Sequence, residues 1–183
     1  KPHELASKQY GICFHSCIEQ LSCIDFNKWP TKISYLLSKT KNNLIQAGIS
    51  QDLAIFGLNK IKQALDNMLH CEHAKWMFNK DNIRYEHEFT LTLVQESINN
   101  KIINKTIDFW FIDNKNNVII IDFKLSEPDK KSIKDFIDNQ TNIYKTQLIG
   151  YKKILSDYLN IPENKIKAYL YFPLINKLSD NIR

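Results

Sequence analysis

The stretch that most restricts this chain is Thr106–Ser126, TIDFWFIDNKNNVIIIDFKLS, because its pattern is that of a β-hairpin and little else. Thr106–Ile112 and Val118–Lys124 are rich in β-branched and aromatic residues, and Asp113-Asn114-Lys115-Asn116-Asn117 between them is turn-forming. A turn centred on Lys115 makes Asp108 and Asp122 direct cross-strand neighbours. Side chains alternate along a strand, so Asp122 and Lys124 share a face with Ile120, and Asp108 shares it with Trp110 and Ile112. One end of an apolar surface therefore carries two acids and a lysine. Like charges opposed in a sheet are destabilising, and unpartnered buried carboxylates are costly, so a cation is expected there. Mg²⁺ fits, since it takes oxygen ligands from one or two carboxylates and keeps waters or phosphate oxygens on its other positions. Lys124 is then placed to orient or deprotonate a water, or to steady negative charge at phosphorus. An isolated D-x-K is usually a surface ion pair at a strand end. The opposed Asp108 and the apolar run before Asp122 set this one apart.

Asp108 followed by Asp122-Phe123-Lys124 resembles the catalytic core of the PD-(D/E)xK nuclease superfamily. Three further segments narrow the likeness to the RecB-like nuclease domains of bacterial recombination helicase-nucleases. Tyr10-Gly11-Ile12-Cys13-Phe14-His15 resembles their G-x-x-x-H helix, Arg84–Phe89 their acidic strand, and Gln147-Leu148-Ile149-Gly150-Tyr151 their Q-x-x-x-Y helix. The four motifs stand in the family order. The chain departs from the family at Lys105, where a glycine is usual, and at Leu125, where a small or hydroxylated residue is usual.

The resemblance implies a restriction-endonuclease-like fold and Mg²⁺, replaceable by Mn²⁺, held by His15, Asp108, Asp122 and the backbone carbonyl of Phe123. It implies Lys124 as the group assisting the attacking water, and Glu86, with Glu88 as runner-up, serving the site. Gln147 and Tyr151 stand one helical turn apart, presenting an amide and a phenol on one face, either for phosphate contact or for packing with a core hydrogen bond. A solvated strand face is the alternative for both glutamates, and a core or capping histidine for His15. Some members of the family carry a four-cysteine iron–sulfur cluster; Cys13, Cys17, Cys23 and Cys71 all precede the Q-x-x-x-Y segment and form no C-x-x-C pair, so no cluster is expected.

Length and apolar content suit a single domain spanning 1–183, with a helical part over 1–80 carrying His15 and a sheet core over 81–183. No apolar run suits a signal peptide or membrane span, and the first residue is Lys1, so the expectation is a piece of a larger protein of the reducing bacterial cytosol. The net charge of +5 favours a polyanionic partner, although a biased genome also yields lysine- and asparagine-rich chains.

Apolar spacing predicts helices over Ser7–Leu21, from a Thr31 cap to Ala47 and over Asp52–Leu69 after Ser50, with Glu72–Phe78 a short helix or a frayed extension of the last. Trp29-Pro30-Thr31 reads as a break, Gly48 as a stop, and Gly11 as the point where the first helix packs close to the sheet. In Asp52–Leu69 the apolar set is Leu53, Ile55, Phe56, Ile61, Leu65 and Leu69. Strands are predicted over Ile83–Gln95, Thr106–Ile112, Val118–Lys124 and Lys165–Phe172. Lys130–Asp138 reads as a loop with a helical turn near the mouth of the site, and Thr141–Leu159 as a helix facing inward through Tyr144, Leu148, Tyr151, Leu155 and Tyr158. The expected architecture is α/β, a central mixed β-sheet flanked by helices with an N-terminal helical subdomain.

The expected function is Mg²⁺-dependent hydrolysis of DNA. By resemblance it acts as an exonuclease on single strands or duplex ends in double-strand-break repair, with a helicase domain upstream in the same polypeptide, possible association with a second helicase-nuclease subunit, and no membrane partner. The alternative is a catalytically inactive nuclease-fold module that binds DNA or a partner subunit. A standalone restriction-type endonuclease shares the hairpin motif but not the two helix motifs.

Overall fold

The computed structural model describes residues 2–79, 88–96, 102–129 and 132–182, with the backbone alone described for 2, 88–96 and 102–105. The chain divides into two compact units. The first comprises 1–80 with 124–127 and 172–177, and the second comprises 81–123, 128–171 and 178–183. Together they make a mixed α/β protein. Among the described residues no helix is long and apolar enough to cross a membrane.

The first unit is built from α1 (Pro2–Ser22), α2 (Trp29–Gln46), α3 (Gln51–Leu69) and α4 (Glu72–Phe78). Their apolar stripes close on Phe14, Ile18, Leu21, Trp29, Leu36, Leu44 and Ile61, all essentially without solvent contact. The expected break at Trp29 is instead the first turn of α2. Pro30 lies there, where its missing N–H costs nothing. Trp29 is buried between Phe26 and Phe78, with ring centroids 4.8 Å away in both cases. Thr31 is not the cap, since its hydroxyl donates back to the Lys28 carbonyl at 2.8 Å. Gly48 does stop the helix. It takes φ +81°, and the bonds from Gly48 N–H to Ile45 O and from Ile49 N–H to Leu44 O close a Schellman motif.

The inward face of α3 is Ala54, Gly57, Ile61, Ala64, Leu65 and Met68. Ile55 and Phe56, members of the apolar set of this helix, are exposed. Small residues explain the difference. The Tyr10 ring of α1 lies over Gly57, where an added Cβ would come within 2.1 Å of the ring. The phenol then donates to Leu53 O at 2.6 Å. A Cβ at Gly11 would meet nothing within 4 Å. The close approach of α1 to α3 is at Gly57.

The sheet, which belongs to the second unit but for Phe172 and Lys177, has the order β1 (Glu88–Glu96), β2 (Ile102–Ile112), β3 (Val118–Phe123), β4 (Ile166–Phe172) and the two-residue β5 (Lys177–Leu178). β1–β2 and β2–β3 are antiparallel and β3–β4 is parallel, so the sheet is mixed. The parallel pairing requires a long crossover, supplied by α5 (Ile133–Leu159). Every residue of β3 is buried, as expected for a strand paired on both sides within a sheet. The predicted strand at 83–87 lies outside the described residues.

α5 begins eight residues before the predicted Thr141. Ser132 accepts the Asp135 N–H at 3.1 Å, Asp135 sits in the first turn, and Phe136 is buried. This cap, with its acid near the positive helix end, makes a helix of a segment whose polarity suggested a loop. The inward stripe contains Leu148, Tyr151, Ile154 and Leu155, whereas Tyr158 is exposed. Asn160, with φ +53°, ends the helix in the left-handed region.

Candidate active site

The hairpin turn sets the register of everything above it. Asp113 is buried, and its Oδ1 accepts the N–H groups of Lys115 at 2.9 Å and Asn117 at 2.8 Å. The Asn117 amide donates to both carboxylate oxygens of Asp113, at 3.1 and 2.9 Å. Asn116 takes φ +63°, the left-handed position that a three-residue hairpin loop needs. Asp113 N–H bonds back to Asn117 O at 3.0 Å, so the turn is centred on Lys115. The sequence identified these residues as turn formers; the carboxylate of Asp113 as the organiser was missed.

From that turn the ladder runs through Ile112–Val118 to Phe109–Ile121. One step further the same register sets Asp108 opposite Asp122. There the strand pairing passes from backbone to side chain, because Asp108 Oδ2 accepts the Phe123 N–H at 3.0 Å. β3 meanwhile stays paired with β4 through Asp122–Leu170 and Phe123–Tyr171. Asp122 is 1% exposed and Asp108 half-buried.

α5 contributes the third component. Gln147 Nε2 donates to Asp122 Oδ1 at 3.2 Å and to the Tyr151 hydroxyl at 2.6 Å. The one-turn spacing of Gln147 and Tyr151 thus serves a chain from phenol to amide to carboxylate. Burial pushes the Tyr151 phenol well up from its ordinary value, the negative charges of Asp122 and Asp108 add to this, and the Gln147 hydrogen bond opposes it. Tyr151 is therefore a neutral hydroxyl at physiological pH. Hydrogen bonds to a carboxylate are worth roughly 1.5–3 kcal/mol each, which is enough to fix the orientation of both acids. A carboxylate offers about four acceptor positions, so these bonds do not exhaust it.

Asp108, Asp122, Phe123, Gln147 and Tyr151 thus meet within the second unit. Lys124 follows β3 directly, is half-buried, and is grouped with the first unit. His15 lies on α1 in that first unit, half-buried, its ring edge-on to Phe14 at 6.1 Å. Glu88 begins β1 opposite Trp110. Glu86 lies outside the described residues. Among the described residues there is no group of three or more His, Cys, Asp and Glu side chains poised around one point. Cys13, Cys17 and Cys71 are buried thiols and Cys23 is exposed.

The ligands expected in this unit, the carboxylates of Asp108 and Asp122 and the main-chain carbonyl of Phe123, are hard oxygens. This chemistry fits Mg²⁺ or Mn²⁺ and does not fit a thiophilic ion. No protein-family model matches the chain, and no curated protein matches it.

Proposed function

We propose that this chain is a metal-dependent deoxyribonuclease with a PD-(D/E)xK-type core. The observation that carries the reading is the hairpin register, which ends at Phe109–Ile121 and leaves Asp108 and Asp122 one step beyond it, with Asp108 bonded to the Phe123 N–H and Asp122 held from α5 by Gln147. A purely structural hairpin has no use for two opposed acids at its buried end, because the opposition costs stability.

In this reading Asp108, Asp122 and the Phe123 carbonyl hold Mg²⁺, with Mn²⁺ able to replace it. The bound ion supplies Lewis-acid polarisation of the phosphate and a water of lowered pKa. Gln147 fixes the plane of the Asp122 carboxylate, and its second N–H holds the Tyr151 oxygen. The neutral Tyr151 hydroxyl donates to a phosphate oxygen. The Lys124 amine orients the attacking water and offsets charge that builds on phosphorus. The roles of His15 as a further ligand and of Glu86 at the site rest on the resemblance alone. So do exonuclease action on DNA ends or single strands, an upstream helicase and a place in double-strand-break repair.

The test is the purified chain with single-stranded DNA and Mg²⁺ or Mn²⁺. Cleavage is expected, and Asp122→Ala and Lys124→Ala are each expected to abolish it. Cleavage that survives either change refutes the assignment. A second reading, an inactive module of the same fold, draws on the fact that both acids already accept protein hydrogen bonds. DNA binding with no turnover and no ion uptake by calorimetry decides for it.

A further inference from the structure

From Phe26 through Gln51 the sequence has four lysines and no acid, against a net charge of +5 for the whole chain. The charge is thus concentrated on one helix. Lys28, Lys32, Tyr35 and Lys39 are spaced to form a single stripe along α2, continued by Asn42 and Gln46. At 1.5 Å per residue the stripe is about 27 Å long. Lys28, Tyr35, Lys39, Asn42 and Gln46 are exposed, with Tyr35 at 57%. The Lys32 ammonium lies 4.4 Å from the centre of the Tyr35 ring.

Three lysines elsewhere in the same unit are neutralised locally. Lys60 pairs with Glu127 at 3.3 Å, Lys62 with Asp66 at 2.7 Å and Lys75 with Glu72 at 2.6 Å. Among the described residues, Lys28, Lys32, Lys39 and Lys41 form no ion pair.

We infer that this face of α2 is a binding track for single-stranded nucleic acid, with the lysines on the phosphates and Tyr35 as a stacking platform. It rests on the nuclease reading for the identity of the polyanion. Single strands are held by a line of cations interleaved with aromatic rings, because every base has a stacking face. With Lys32 over one side of Tyr35, the other side takes a base. The Thr31 and Ser38 hydroxyls donate to the Lys28 and Tyr35 carbonyls, so the lysines carry the phosphate contacts. A bilayer is the poorer match. The apolar face of α2, Ile33, Leu36, Leu37 and Leu44, is buried within the unit and has nothing to insert.

The experiment measures fluorescence anisotropy of a labelled oligothymidylate with the 183-residue chain in EDTA over a range of salt. Substituting Lys28, Lys32 and Lys39 together by Gln is expected to weaken binding about a hundred-fold near 0.1 M salt and to lower the salt slope by about 2. The charge-matched change of Lys60, Lys62 and Lys75 to Gln is expected to do far less. Tyr35→Ala should cost about ten-fold, and Tyr35→Phe little. Equal effects of the two lysine sets, no oligonucleotide binding by the unaltered chain, or capture by phosphatidylserine vesicles in its place would overturn the inference. Binding lost with the stripe while no metal supports cleavage leaves the track standing and removes the nuclease. Cleavage with binding indifferent to the stripe does the reverse.

Discussion

The helices α1–α4 and the β2–β3 hairpin solve opposite problems. The helical unit keeps its charges at the surface and builds its interior from apolar shape, with the closest fit where the Tyr10 ring covers Gly57. The hairpin buries carboxylates at both ends, Asp113 at the turn and Asp122 at the mouth, and meets them with N–H groups of its own chain and of α5. Shape is the vulnerable quantity in the first region, and charge in the second. Substitutions should therefore separate stability from activity in opposite senses.

The largest effect belongs to Asp122→Asn. Asparagine keeps the shape and an oxygen for the Gln147 amide, and removes the negative charge facing Asp108. Cleavage should fall about a thousand-fold, and ion uptake should vanish by calorimetry. Thermal stability should hold or rise, because an opposed pair of like charges is relieved. A large drop in melting temperature with cleavage retained would make the pair structural and break the contrast.

Gly57→Ala tests the other region. The new methyl meets three atoms of the Tyr10 ring, which cannot swing away without losing its bond to Leu53 O. Overpacking typically costs about 1–3 kcal/mol, and the helix propensity gained from glycine returns at most about 1. A net loss of about 1–2 kcal/mol in denaturant titration is expected, with cleavage per folded molecule unchanged.

A smaller effect appears in alkali. The Tyr151 phenol is raised from its ordinary value of 10 by burial, then by Asp122 and Asp108. Below pH 10 the hydroxyl is protonated whether the chain is folded or not, and its contribution is intact. Above that, the unfolded chain releases a proton that the folded one retains, so stability declines as pH rises. Burial raises Tyr10 and Tyr169 as well, so they act in the same direction. Tyr151→Phe should make the fall in melting temperature above pH 10 shallower without abolishing it.

The hairpin was legible because a period-two pattern and a turn rich in asparagine fix register by local rules. Asp108 and Asp122 followed from the position of Lys115 alone. The short helix α4 was also legible, since Glu72–Phe78 has the bounds expected of it. What escaped was decided by partners distant in sequence or by competing local signals. Nothing near Gln147 announces that its amide reaches Asp122, twenty-five residues away. The start of α5 was hidden because Lys130–Asp138 is polar, and its cap at Ser132 outweighs that polarity. On α3, counting large apolar residues pointed to Ile55 and Phe56, whereas the buried line runs through Ala54, Gly57 and Ala64, whose small size admits α1.

The two helical glycines give the finest test. Gly11 and Gly57 are both interior to long helices, yet a Cβ at Gly11 meets open space. Alanine there removes backbone freedom from the unfolded chain and adds no clash, so Gly11→Ala should stabilise by about 0.5–1 kcal/mol. Gly57→Ala should move stability the opposite way. Gly11 is also the first residue of the segment resembling the G-x-x-x-H motif, one turn before His15. If that segment serves DNA rather than the packing of α1, the methyl stands where a ligand approaches. Cleavage would then fall while the melting temperature rises. Cleavage unchanged in the stabilised variant would make Gly11 a bystander and leave His15 alone to carry the motif.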